Sequence, residues 1–152
     1  MALLKPIGLK VAVRASRAAV WKALTDPKQL TKWFARHARV IPRKNGIYEL
    51  GWGGVSLPHT ITEWKPPKAL SLALVDGTTL RITLGAKGGE TVVELAASGY
   101  RDDVHGLEEW ADDRRVFAFY LLNLKALLEK RLDLREKNRK RVAAGGWANP
   151  WS

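Results

Sequence analysis

The sequence predicts an α+β domain in the order β-α-α-β6-α, with a curved antiparallel sheet wrapped around a long C-terminal helix. Three observations carry this. Residues 8–13, "GLKVAV", alternate apolar and polar side chains, the period-two signature of a strand with one buried face. The same period holds for about sixty residues from residue 38, broken only at turn-rich links. After Gly99 it stops, and apolar residues recur at helical spacing from about Leu107 towards Leu128.

Each element has a local cause. Ser16 is a good N-cap for a short helix carrying Val20, Trp21 and Leu24. Asp26 restarts the helical signal with Pro27 at the first helical position, where a missing N–H is harmless, and Leu30, Trp33 and Phe34 share one face. The six following strands are "RVI", "IYELGW", "SLPHTITEW", "ALSLALV", "TLRITLG" and "TVVELAAS". Short links join them, as in an antiparallel meander. Asp76 and Gly77 form the clearest tight turn, and the glycines in "GWGG" read as a turn or bulge.

Parity assigns the dry face of the sheet. It takes Tyr48, Leu50 and Trp52, then Leu70, Leu72 and Leu74, then Leu80, Ile82 and Leu84, then Val93, Leu95 and Ala97. Pro58 suggests that its strand is an edge or contains a bulge, and His59 falls in phase with Ile61. In the last helix Trp110, Phe117, Leu121, Leu124 and Leu128 form a stripe that Val116, Tyr120 and Leu127 widen. Asp102, Asp103, Glu108, Glu109, Asp112 and Asp113 cluster before or in its first turns, where acids suit the helix dipole.

Composition limits the possible functions. At 152 residues, 46% hydrophobic and 27% charged, the chain has room for one domain with a sizeable core. We read a domain over residues 1–134 and a basic, tryptophan-containing tail over 135–152. The longest apolar runs fall well short of the ~18 residues of a membrane span, and "MALLK" is too short for the apolar region of a signal peptide. No membrane partner is expected, and a cytoplasmic address is the default. Cysteine is absent, which excludes thiol catalysis and thiolate metal ligands.

The net charge of +11 is uneven. Residues 1–48 carry eleven Lys/Arg against one acid, residues 49–129 eight against twelve, and residues 130–152 seven against two. The basic ends can fold against the acidic middle, or they can attract an acidic partner; the first reading is preferred. In the tail, Asp133 with Lys137 and Glu136 with Lys140 stand at i,i+4 spacing, and Gly145 and Gly146 would stop a helix. A solvated extension of the long helix is therefore favoured over a nucleic-acid contact. Trp147 and Trp151 are too apolar for a free polar tail and are expected to dock on their own domain or on a second copy, which leaves a homodimer open.

Five blocks in register, "ASRAAVWKALTDPKQLTKWF", "PRKNGIYEL", "ITEWKPPKALSLAL", "ELAASGY" and "LLNLKALLE", resemble the START-like (SRPBCC) superfamily. The branch they resemble is that of the C-terminal domain of the activator of heat-shock protein 90 ATPase. The resemblance covers about residues 8–132 and implies the helix-grip fold. It implies a cavity between sheet and long helix where many such domains bind apolar or aromatic molecules and some catalyse cyclisation or dehydration; others act on a chaperone through their surface. Phe117 and Leu74 stand where related domains often have tryptophan, and Ala97 where they often have histidine. These departures tilt the cavity towards apolar contents.

The favoured function is accordingly a binding protein for a small apolar or aromatic molecule. Trp33, Tyr48, Trp52 and Trp110 are expected in the wall or mouth of its cavity, with Phe117, Tyr120 and Leu121 from the long helix. Of His37, His59 and His105, only His59 is in phase with the dry face and is kept as a polar group of the cavity. The alternatives are a chaperone-associated module that offers its basic N-terminal surface to an acidic protein, and a cyclase or dehydratase in which His59, Glu63 or Tyr48 moves a proton. No catalytic residue is assigned. No metal motif, phosphate-binding loop or dinucleotide fingerprint occurs, and no cofactor is expected.

Overall fold

The computed structural model describes residues 2–149. Strand β1 (Ile7–Val13) leads into helices α1 (Arg17–Thr25) and α2 (Pro27–Trp33). Six strands follow: β2 (His37–Val40), β3 (Ile47–Trp52), β4 (Val55–Lys65), β5 (Ala69–Ala73), β6 (Thr79–Lys87) and β7 (Glu90–Ser98). Then come the long helix α3 (Val104–Lys130) and the short α4 (Arg139–Ala144). The sheet has seven strands in the order β1-β7-β6-β5-β4-β3-β2, all antiparallel. β1, the first strand in the chain, therefore pairs with the last. Among the described residues no helix is long and apolar enough to cross a membrane.

The two short helices begin as their caps dictate. Ser16 Oγ accepts from Ala19 N–H at 3.1 Å, and Asp26 Oδ1 accepts from Lys28 N–H at 2.9 Å ahead of Pro27. At the β5–β6 turn Asp76 Oδ1 accepts from Thr78 N–H and from its hydroxyl, and Gly77 takes a φ of 93° that side chains disfavour. Strand register then stacks the dry face: Leu72 lies opposite Leu80, Leu70 opposite Ile82, and Ile82 opposite Leu95. These residues are buried, as are Tyr48, Leu50, Leu84, Val93 and Ala97, while Trp52 and Leu74 are half-buried.

Of the two expectations for β4, an edge or a bulge, the strand meets the second, since it lies between β3 and β5 and carries a register shift. Pro58 is tolerated because β4 pairs with β5 only over Thr60–Lys65, so residues 55–59 have β3 as their one neighbour. The bulge falls later, between Ile61 and Glu63. It reverses the parity of everything after it. Glu63, in phase with Ile61 by counting, pairs with Ser71 on the wet side, and Trp64 pairs with Leu70. Trp64 meets Trp21 edge to face with centroids 5.1 Å apart.

α3 starts three residues before Leu107, where Asp103 Oδ1 accepts from Gly106 N–H at 2.7 Å. Its first turn holds no acid, so only the cap itself acts there as expected. The helix ends at Lys130, where Arg131 turns left-handed with φ 54° and donates back to the carbonyls of Ala126 and Leu127. This overturns the continuous extension through the tail. Asp133 keeps a 3.5 Å contact with Lys137, but Glu136 pairs with Arg141 instead of Lys140.

A buried polar knot explains why the helix stops. Asn123, fully buried on α3, donates to Trp33 O at 2.8 Å and to Asp133 Oδ1 at 3.1 Å, and accepts from Leu134 N–H. Arg135 donates to both Asp133 oxygens. It also donates to Thr31 O at 3.0 Å and Ala35 O at 3.4 Å at the end of α2. The segment after α3 must be extended for Asp133 and Arg135 to reach these partners. Arg135, placed by number in the tail, thus packs on the domain. Beyond it, Asn149 donates to Leu134 O and accepts from Glu136 N–H, and Trp147, 39% exposed, lies 5.5 Å from the Arg141 guanidinium. Trp151 lies outside the described residues.

The basic N-terminal region meets the acidic middle in two ion pairs, Arg14 to Glu129 and Arg39 to Glu49, among those of the described residues. The tail's acids pair with its own cations.

Truncating Arg135 leaves the half-buried Asp133 without its main partner and removes a donor from the carbonyls of Thr31 and Ala35. Arg135→Ala should lower unfolding free energy by about 3–5 kcal/mol, measured by urea denaturation.

Candidate functional site

The dry face is not fully covered. α3 lies closest to β1 and to α2, and between it and the middle of the sheet a cavity of about 470 Å³ remains. That is large enough for a small organic molecule. Its floor is Leu50, Leu72, Leu80 and Ile82 of the sheet; α2 contributes Trp33 and Phe34, and α3 contributes Phe117, Tyr120 and Leu121.

Aromatic contacts fix one wall. Phe34 packs on Tyr120 with centroids 4.6 Å apart and on Trp52 at 5.5 Å, and Trp33 meets Tyr120 edge to face at 6.5 Å. The polar ends of Trp33, Trp52 and the neighbouring Tyr48 turn to the backbone. Trp33 Nε1 donates to Ala23 O at 2.9 Å, Trp52 Nε1 to Phe34 O at 3.2 Å, and the Tyr48 hydroxyl to Leu24 O at 2.7 Å. Each ring is thereby oriented, and its apolar surface is what the cavity meets. Burial also pushes the Tyr48 and Tyr120 hydroxyls above the usual tyrosine range, so both stay neutral.

Seven of the eight residues singled out in the sequence line this cavity: Trp33, Tyr48, Trp52 and His59, with Phe117, Tyr120 and Leu121. Trp110 does not. Its Nε1 donates to Lys5 O at 2.9 Å and its ring lies 5.9 Å from the Arg114 guanidinium, so it holds the N-terminal part of α3 against the segment before β1. Leu74 and Phe117, two of the three departures from the family pattern, do face the cavity.

The proton-transfer trio is not assembled. Glu63 sits on the wet face, where Arg81 Nε donates at 3.0 Å, Ser71 Oγ at 2.8 Å and Lys65 approaches to 3.2 Å. These partners pull its pKa down to about 2, the opposite of a raised, proton-donating acid. Tyr48 and His59 face each other across β3 and β4 and both line the cavity. His59 is buried, with Nδ1 accepting from Val75 N–H at 3.2 Å; burial lowers its pKa, against the pull of nearby Asp76.

His37 and His105 lie elsewhere. His37 pairs with Gly51, whose missing side chain leaves room for the imidazole. His105 bonds Glu109 one turn on at 3.0 Å on an exposed helix face. No cluster of three or more His, Asp or Glu side chains suited to a metal ion occurs among the described residues.

The sequence missed Phe34 as a cavity residue, although its neighbour Trp33 was taken, and it missed Asp113. Asp113 lines the cavity and accepts from the Tyr100 hydroxyl at 2.7 Å. Burial raises its pKa, Tyr100 opposes this, and Asp76, Asp112 and Glu109 add to the rise. A signal was present: Asp113 is four residues before Phe117 on the stripe facing the sheet. Among the described residues no Lys or Arg lines the cavity.

Comparison with known proteins follows the same outline. The family model "Activator of Hsp90 ATPase homolog 1-like protein" matches residues 14–129. The solution structure of the Aha1 dimer from Colwellia psychrerythraea is 20% identical, with a TM-score of 0.75 over 84% of this chain and 98% of that one. CalU16 from Micromonospora echinospora is 21% identical, with a TM-score of 0.69 over 83% and 77%. DynU16, of the dynemicin biosynthetic locus, is 19% identical, with a TM-score of 0.74 over 84% of this chain and 48% of that one. At these identities the likeness is one of fold. No curated protein matches the chain.

The ion-paired state of Glu63 has a pH signature. Its folded pKa lies below its unfolded value, so its stabilising effect is present above the ordinary carboxylate range and is lost as pH falls towards 2. Glu129, also held at about 2 by Lys125 and the Arg14 N–H, acts in the same direction. The urea midpoint should fall between pH 5 and pH 2.5, and Glu63→Gln should make that fall shallower.

Proposed function

The chain belongs to the Activator of Hsp90 ATPase homolog 1-like family, and from that premise we propose that it binds one small apolar or aromatic molecule between the curved sheet and α3. The observation that carries this reading is the roughly 470 Å³ cavity with a mainly apolar lining, in which Trp33, Tyr48 and Trp52 direct their polar atoms to backbone carbonyls. A cavity lined this way favours apolar contents by removing their surface from water, at about 25 cal/mol per Å². DynU16, which shares the fold, is described as a protein in the dynemicin biosynthetic locus, which is in keeping with a ligand-binding role.

A second reading, a chaperone-associated module, has its own observation. Lys22, Lys28 and Lys32 are exposed on α1 and α2 and make no ion pair among the described residues. They offer an acidic protein an uncompensated cationic surface. The Colwellia relative is described as a dimer, and self-association of this chain belongs to the same reading. Stimulation of a chaperone ATPase would select it.

N-phenyl-1-naphthylamine tests the first reading, because it brightens in apolar sites and accepts energy from tryptophan. We expect one site per chain with a dissociation constant of roughly 1–100 µM, as ligand efficiency allows for a molecule of this size. Leu72→Trp, which fills the floor of the cavity, should weaken binding at least about fivefold with little change in melting temperature. Undiminished binding by a folded Leu72→Trp protein would remove the probe from the cavity.

A further inference from the structure

One cavity side chain uses its hydrogen-bonding capacity on one side only. His59 is 7% exposed and faces the cavity from β4. Its Nδ1 is occupied as an acceptor by the Val75 N–H at 3.2 Å. In the neutral ring the proton then resides on Nε2, and burial favours that neutral ring by lowering the pKa.

Nε2 makes no hydrogen bond or ion pair among the described residues. Nor is it sealed away, since no fully buried side-chain nitrogen or oxygen lacks a partner. The unbonded N–H of this nine-tenths buried imidazole therefore keeps some accessible surface, and its residue lines the cavity. A pure hydrocarbon seated against it would leave a buried donor unpaired, which is costly; a ligand oxygen in reach would take the bond.

The charge of the surroundings narrows the kind of oxygen. Asp76 and Asp113 line the same cavity, and among the described residues no Lys or Arg does. Asp76 is turned to Thr78 and Asp113 to Tyr100, yet both place negative potential beside the site. Arg135 acts on Tyr120 from behind the wall but is paired there with Asp133, so an anionic ligand would meet the two carboxylates with no cation of the described lining set against them.

We propose that the His59 Nε2–H is the specificity-determining donor of the cavity, and that its ligand is a neutral, mainly aromatic or aliphatic molecule carrying a carbonyl-type oxygen. This rests on the reading of the cavity as a ligand site. It makes His59 a binding residue and assigns it no proton transfer.

The test is displacement of N-phenyl-1-naphthylamine by three compounds of matched skeleton: 2-acetylnaphthalene, 2-isopropylnaphthalene and 2-naphthoate. Wild type should prefer the ketone to the hydrocarbon by about tenfold and should bind the carboxylate more weakly than the ketone. His59→Phe should abolish the ketone preference while retaining the hydrocarbon. His59→Asn guards against a folding defect, since its amide oxygen can still accept from Val75 N–H while no donor stands at the Nε2 position; it should lose the preference equally. Equal binding of ketone and hydrocarbon by wild type, a preference that survives both variants, or tighter binding of the carboxylate would overturn the proposal and leave the apolar cavity standing. Failure of wild type to bind any of the compounds or the probe would overturn both.

Discussion

An apolar sheet face seven strands wide is broader than one helix can cover, and the rest of the molecule is organised around that mismatch. Six strand spacings span about 29 Å before curvature, whereas a helix with its side chains is about 10–12 Å across. α3 covers the side near β1, α2 supports the other side of α3, and curvature brings the strands towards both. What remains between them is the cavity, bounded by Leu72, Leu80 and Ile82 below and by Phe117 and Tyr120 above. Larger apolar side chains in the floor would close it; this sequence has leucine and isoleucine there.

Keeping such a space open requires walls that do not collapse into it. The knot of Asn123, Asp133 and Arg135 joins α3 to the end of α2 through the carbonyls of Thr31, Trp33 and Ala35. Burial works against the Asp133 carboxylate, but the donors from Arg135 and Asn123 prevail and hold its pKa below the usual range. Trp33 and Trp52 are tied to backbone carbonyls in the same region. The wall is thus rigid through hydrogen bonds made behind it, and its cavity surface is left apolar.

Much of this was legible in the sequence, for a physical reason. Strand alternation and helix caps are local, so the dry face from Tyr48 to Ala97, and the starts at Ser16 and Asp26, could be read without knowing the fold. The bulge between Ile61 and Glu63 could not, because an extra residue is invisible to counting until the partner strand is known, and counting alone would put Glu63 in phase with Ile61. Helical periodicity likewise says which residues share a stripe and not what lies opposite each turn. Trp110 and Phe117 share one, yet the first meets Lys5 and the second the cavity. In the tail, i,i+4 pairs worth about 0.2–0.5 kcal/mol each were outweighed by a buried network whose members, Asn123 and Arg135, have no sequence pattern linking them.

The central claim is that the space between sheet and α3 receives a ligand. Methyl-labelled protein saturated with N-phenyl-1-naphthylamine tests it most directly, through intermolecular nuclear Overhauser effects. The account predicts contacts from the probe to the methyls of Leu72, Leu80, Ile82 and Leu121, with none to Val13 or Val20 in the filled part of the core. Contacts confined to the exposed Val104, Leu107, Leu132 or Leu134, or none at all, would contradict it.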